Sequence, residues 1–448
     1  MIFLNKFLYQ KKIQKTDLIV LLFFAAIFST SLIFVRPMQD DYVALKDMSS
    51  VGLQDSIYNM WKSWGGNIST IAISNFFINL YFGSNFFIGI ALHSIITVLF
   101  LLSTFRILRR YFQEIVHTKV KIGTTTWLFL SFLCLGSLHA PGYISVLNFT
   151  LASTAHLWPT LIFVHAIYIA RFSRKSLLPL LLLFGFLIGN LNVSESIFCF
   201  ATSLIIGFFS KSSLVSVLKI RGINLSILIF GQTIGLLTIV LAPGFQARSE
   251  IVIEPKTFAE LIYSFFQALA YNLGDIFLHP GWILALLMGL AIEKVVAPKS
   301  SLLKYLKLNS FVLLVCLFTV SAGGAFAYPS WYHTMSFYVF VFPVFFAVGL
   351  ILNDQIRLTL RKKLSFLLGI VFVLCLTLLA RDITMLVLRA DAWDRDFEIN
   401  SLKISANQFD LVGYNVNYWP LGLGLDDVEK WDWINSAYVE WVKEMHSR

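Results

Sequence analysis

Runs of roughly 15 to 20 apolar residues recur along this chain, separated by short polar stretches. Crossing a bilayer as a helix takes about 20 predominantly apolar residues, and segments near 18–35, 86–105, 124–138, 157–171, 177–191, 196–210, 223–241, 281–297, 308–325, 335–352 and 364–381 approach that requirement. The expected fold is an all-α polytopic membrane protein with about 11 transmembrane helices over residues 1–381, followed by a small extracytoplasmic segment, 382–448. Composition agrees: 57% of the 448 residues are hydrophobic and 13% charged, whereas a soluble domain is about half apolar and about a quarter charged.

The net charge of +10 reports orientation and excludes a nucleic-acid reader, because the cations sit between apolar runs and are not interleaved with aromatics on one face. Taking alternate loops as cytoplasmic from the N-terminus places 23 of the 35 Lys and Arg there with four of the 25 acids, leaving 12 and 21 on the opposite side. That bias puts the N-terminus inside and the C-terminus outside. The first run follows Lys6, Lys11, Lys12 and Lys15, but Phe34-Val35-Arg36-Pro37 offers no small-residue cleavage site, so an uncleaved anchor is expected. Cys134, Cys199, Cys316 and Cys375 lie in apolar runs without paired spacing, which suggests neither a disulfide framework nor a zinc site.

Residues 256–277 stand apart. They are apolar enough to span, yet Glu260, Ser264, Gln267, Tyr271 and Asp275 follow one another at steps of 4, 3, 4 and 4, forming a single polar stripe. An interfacial or re-entrant helix suits the stripe. A crossing here would instead move Lys299, Lys304 and Lys307 to the outside.

Chemistry-bearing residues gather in the outer segments. Residues 36–80 form a long first outer loop opening with Asp40-Asp41-Tyr42 and carrying Trp61-Lys62-Ser63-Trp64. Neighbours on a helix point about 100° apart, so at most one of the two carboxylates can face a given cavity, as a general base, while the other caps or pairs; the alternative is an Asp that caps the helix that follows, helped by its N-terminal dipole. The turn Asn192-Val193-Ser194-Glu195 keeps Glu195 close to hydrocarbon, where an acid usually faces a protein cavity. Ala242-Pro243-Gly244 precedes Arg248, whose guanidinium suits bidentate phosphate contact or a lipid headgroup. His156-Leu157-Trp158-Pro159 and the loop ending Ser330-Trp331-Tyr332-His333 add stacking surface and titratable groups. The tail, with Trp393, Trp419, Trp431, Trp433 and Trp441, reads as a cap over the outer face.

Together, the Asp40-Asp41 loop, Asn192-Val193-Ser194-Glu195, Ala242-Pro243-Gly244 with Arg248, and Ser153-Thr154-Ala155-His156-Leu157-Trp158-Pro159 resemble the GT-C superfamily of polyprenyl-phosphate-dependent glycosyltransferases, near the bacterial serotype-type O-antigen glucosyltransferases. The chain departs from that pattern at Phe245 and His156. The resemblance implies an integral inner-membrane hexosyltransferase. It would move a sugar from a polyprenyl-phosphate donor to a surface-glycan or lipid-linked acceptor by a single inverting displacement. Asp40 or Asp41 would be catalytic, and Glu195, Arg248, His156, Trp158, Tyr42, His333 and Trp64 would bind substrate. No cofactor is implied with certainty; a divalent cation, Mg²⁺ or Mn²⁺, is compatible with carboxylates beside a phosphate, although no dedicated ligand set is visible. The rival readings are a flippase for a lipid-linked oligosaccharide, or an O-antigen polymerase or ligase. A transporter would typically place its charged groups at mid-membrane in related halves, and no internal repeat is evident here.

Overall fold

The computed structural model describes residues 33–34, 36, 40–63, 65–80, 86–116, 158–172, 175–209, 215, 218–252, 256–278, 281–291, 298–326, 334–353, 358–413 and 432–447. All regular structure among the described residues is helical. Residues 40–80, within the expected first outer loop, fold into α1 (Asp40–Val51), α2 (Leu53–Ser63) and α3 (Ile68–Ile78) where described. Gly52 separates α1 from α2 at φ +85°, a left-handed conformation open to glycine at no steric cost, and its N–H returns to the Met48 carbonyl at 3.0 Å.

The apolar runs fold as α4 (Phe86–Val116), α5 (Trp158–Ile169), α6 (Leu178–Leu191), α7 (Val193–Phe208) and α8 (Gly222–Val240). After α9 (Pro243–Val252) and α10 (Phe258–Leu278) come α11 (Gly281–Ala291), α12 (Lys299–Phe326), α13 (Thr334–Asn353), α14 (Leu358–Ser405) and α15 (Asp432–Ser447). The expected crossing at 124–138, and that at 18–35 apart from residues 33–34, lie outside the described residues. By length and hydropathy alone, Gly222–Val240 and Lys299–Gly323 are the two described helices able to cross a membrane; Trp158–Ile169, Glu195–Phe208 and Val341–Asn353 are apolar but shorter.

Side-chain contacts give the helix directions. Helices α4 and α5 run parallel: Phe100 packs on Trp158, Ser103 meets His165 at 2.6 Å, and Arg110 donates to Tyr168. Helices α6 and α8 are also parallel, along a seam of small residues. A Cβ placed on Gly185 would fall 2.4 Å from the Leu228 carbonyl oxygen, one on Gly189 2.3 Å from that of Gln232, and one on Gly235 2.4 Å from that of Phe186. Only because these residues lack side chains can the backbones approach so closely, which is how helices associate where apolar solvent removes the hydrophobic driving force. Gly289 and Gly349 repeat the device between α11 and α13, and Asn353 closes that seam by donating to the Gly289 carbonyl at 3.1 Å.

Two apolar cores result. The larger runs through α4 to α8 and α10 to α13. The second joins α1, α2 and α3 to the far end of α14 and to α15 through Tyr42, Leu45, Met60, Ile71, Trp393, Ile404, Tyr438 and Trp441. The expected boundary at 381/382 is no break in the chain's structure, since α14 continues through it to Ser405. Beyond 381, the second half of α14 together with α15 completes the second core.

Candidate functional site

The loop of α1 to α3 is pinned at two places. Below it, the Thr70 hydroxyl donates to the Leu191 carbonyl, the Ser69 N–H donates to Asn190 Oδ1 at 2.7 Å, and the Asn67 amide donates to the Leu191 carbonyl at 3.3 Å. Asn190 also donates to the Gly66 carbonyl at 3.3 Å, the Gly235 carbonyl at 3.2 Å and the Thr238 hydroxyl at 2.7 Å. One buried amide thus ties the loop to the C-terminal ends of α6 and α8. Gly66 lies so close to α8 that a Cβ there would fall 2.2 Å from the Ile239 carbonyl oxygen. Helix α9, which bears Arg248, packs against α2 of the same loop.

Above, the loop meets the C-terminal segment. Tyr42 is fully buried, with the rings of Tyr438 and Trp441 at 5.0 and 5.9 Å, and its hydroxyl accepts from the Trp393 indole at 3.1 Å. Lys46 pairs with Glu440 at 2.5 Å, and the Ser49 hydroxyl donates to Glu444 at 2.7 Å. Arg36 engages both carboxylate oxygens of Asp394, at 2.8 and 2.9 Å, the bidentate geometry that makes such pairs specific.

Inside this cap lies a charged group that the sequence reading did not single out. Arg389 of α14 is buried to 2% exposure, donates to the Arg36 carbonyl at 3.0 Å, and lies within electrostatic reach of Asp41, itself 4% exposed. Burial pulls the Arg389 guanidinium below its usual pKa, Tyr42 and Asp41 oppose that shift, and Arg36 adds to it. Burial, followed by Tyr438, raises the Tyr42 hydroxyl well above its ordinary value. A spacing signal for this face exists: Leu386, Arg389, Trp393, Asp396, Asn400 and Ile404, all buried, follow one another at three or four residues.

The expected site residues divide accordingly. Asp41 and Tyr42 are brought into the cap core, and Tyr42 is a packing group there, not an open stacking surface. Asp40 opens α1; its side chain is outside the described set. Glu195 sits in the first turn of α7, fully buried, three residues past the Asn192 turn, where the helix dipole favours a carboxylate. Cys199 and Cys316 are within its electrostatic reach. Trp158 is also buried, edge-on to Phe77 and Phe100 in the bundle, so it packs α5 onto α3 and α4. Arg248 has its backbone in α9 and its side chain outside the described set, while Trp64, His156 and His333 lie wholly outside it. Among the described residues no group of three His, Cys, Asp or Glu is placed to hold a metal ion.

The arrangement joins a carboxylate-bearing loop, a buried acid at a helix start, an Arg-bearing helix and an aromatic cap on one end of the bundle. No family model, curated protein or solved structure matches this chain.

Proposed function

We propose that the protein is a membrane glycosyltransferase that uses a polyprenyl-phosphate sugar at the outer surface of the membrane. One observation carries the reading: four segments far apart in sequence, residues 36–80, the 190–195 turn, α9 and the C-terminal segment, meet at one end of a helical bundle. A donor with its tail in lipid and its head in water needs such a composite site at the membrane boundary. Parallel α4 and α5, α6 and α8, and α11 and α13 agree with eleven alternating crossings, because each pair is two crossings apart in that scheme.

In the displacement, the acceptor hydroxyl oxygen attacks the anomeric carbon. The bond from that carbon to the phosphate oxygen breaks, the configuration inverts, and the polyprenyl phosphate leaves. Asp40 takes the hydroxyl proton, a role that typically contributes about 10²–10⁴-fold. Asp41, buried within electrostatic reach of Arg389, would help hold α1, and with it Asp40, in register over the bundle. Arg248 neutralises the leaving phosphate, and Glu195 accepts hydrogen bonds from sugar hydroxyls at the floor of the site. No step requires a metal, though a divalent cation beside the phosphate is compatible with the chemistry.

The test is sugar transfer from a short-chain polyprenyl-phosphate hexose in membranes carrying the wild-type chain or Asp40→Asn, with mass spectrometry of surface glycans from the same cells. Expected is loss of both the transferred hexose and the in vitro activity in the variant at unchanged expression. Full activity of Asp40→Asn would refute the assigned base. An unaltered glycan with accumulated lipid-linked precursor would replace the transferase with a flippase.

A further inference from the structure

Helix α10 has about 31 Å of length by its 21 residues, enough to cross a bilayer, yet its contacts keep it at one end of the bundle. Near its start, Lys256 donates to the Ala325 carbonyl at 2.8 Å and lies 3.3 Å from the Ser264 hydroxyl. Phe265 stacks on Phe318 at 5.9 Å, and Asn272 donates to Ser321 at 3.0 Å. The partners of Lys256, Phe265 and Asn272 all lie between 318 and 325, the last turns of α12. The two helices therefore cross obliquely and do not run side by side.

The next elements give the same answer. Phe112 packs on Tyr305, early in α12, and on Phe346, late in α13, so α12 and α13 form an antiparallel hairpin. Trp282 of α11 packs on Phe345, and Asn353 reaches the Gly289 and Leu290 carbonyls, so α11 runs parallel to α13. The start of α11 therefore points to the end of the bundle that holds Ala325, where α10 also begins. A helix that enters and leaves toward one side does not traverse.

Its two faces differ. Ala268, Asn272 and Ile276 are buried, whereas Phe258, Tyr263, Phe266 and Phe277 are 78%, 70%, 61% and 56% exposed, with Gln267 and Tyr271 exposed among them. A reciprocal cap fixes the start: the Thr257 N–H donates to Glu260 at 2.7 Å and the Glu260 N–H returns to the Thr257 hydroxyl at 3.4 Å. Aromatic rings mixed with polar groups on one open face match the headgroup boundary, where apolar rings enter lipid and polar tips stay wet.

We infer that α10 lies in the plane of the outer leaflet and docks its aromatic face onto phospholipid, forming a membrane-surface element between the Arg248 helix and α11. This rests on the membrane reading of the chain but not on sugar transfer. The experiment places single nitroxide labels at Phe258, Phe266, Phe277 and, as a reference in a spanning helix, Leu237. The full-length protein is reconstituted in phosphatidylethanolamine and phosphatidylglycerol vesicles, and depth is read from relaxation by oxygen against a water-soluble nickel complex. All labelled positions are exposed, so folding is preserved. Expected are similar depths at the three α10 positions, within about 5–10 Å of the headgroup boundary. A monotonic gradient approaching about 28 Å from Phe258 to Phe277, the length of helix between them, would overturn the inference. Spin–spin broadening at Phe266 would also overturn it, by showing a second copy on the face instead of lipid. Asp40-dependent transfer alongside a gradient would refute the α10 placement alone.

Discussion

Arg389 and Asp41 show how two charges are held inside a cap. Each loses hydration on burial; Arg389 is compensated by the Arg36 carbonyl that accepts from it and by the opposite charge of Asp41 within electrostatic reach, and Asp41 by that same opposite charge. Removing one partner strands the other. Arg389→Met should destabilise the cap by about 3–5 kcal/mol, the usual consequence of leaving a buried charge uncompensated. Adding Asp41→Asn should recover much of the loss, because the stranded charge is then gone. Limited proteolysis within 382–448 and chemical unfolding of the purified protein would measure both. Simple additivity of the two losses would show that the charges do not interact. At this scale the sequence exposed part of the design: adjacency told that Asp40 and Asp41 cannot share a direction, but not which faces a cavity. Arg389 stayed hidden because its partner is some 350 positions away, and a single Arg among the acids of the tail looks solvated.

The glycines of α6 and α8 carry the element scale. Gly185-x-x-x-Gly189 and Gly231-x-x-x-Gly235 let two parallel backbones touch, and that contact sets the height of Asn190, the residue that anchors the first loop. A side chain in the seam has only rigid backbone to push against. Gly185→Leu or Gly231→Leu should each cost at least the usual 1–3 kcal/mol, roughly, of overpacking, seen as a lower melting temperature in detergent. Gly207→Ala should be neutral or stabilising, since its new Cβ meets only a Leu225 methyl at 3.6 Å and a helix gains from losing glycine. Equal losses at all three positions would contradict the seam. Helix placement was legible from hydropathy: α6, α8 and α12 cover the runs at 177–191, 223–241 and 308–325. Ends were not. Helix α4 extends past 105 to Val116, and α14 past 381 to Ser405, because polar helix continues outside the apolar run wherever tertiary contacts replace lipid: Arg171 on Glu114 in one case, the cap core in the other. The seam itself was written in the small-residue spacing but carries no hydropathy signal.

Over the whole molecule, the account depends on sidedness. Contact between residues 36–80 and the C-terminal segment requires both on one side of the bilayer, as an eleven-crossing chain with alternating charge bias also demands. The proposed function rested in the sequence only on the polar segments; their convergence was not legible, since hydropathy and charge say which side a loop is expected on and nothing of which loops touch. The most direct measurement is labelling of intact cells with a membrane-impermeant maleimide, using single cysteines at the exposed positions Ser50, Met445 and Lys307 in a background where the four native cysteines are serine. The account predicts that Ser50 and Met445 react in intact cells and Lys307 only after permeabilisation. Reaction at Ser50 only after permeabilisation, or at Ser50 and Met445 from opposite sides, would contradict it.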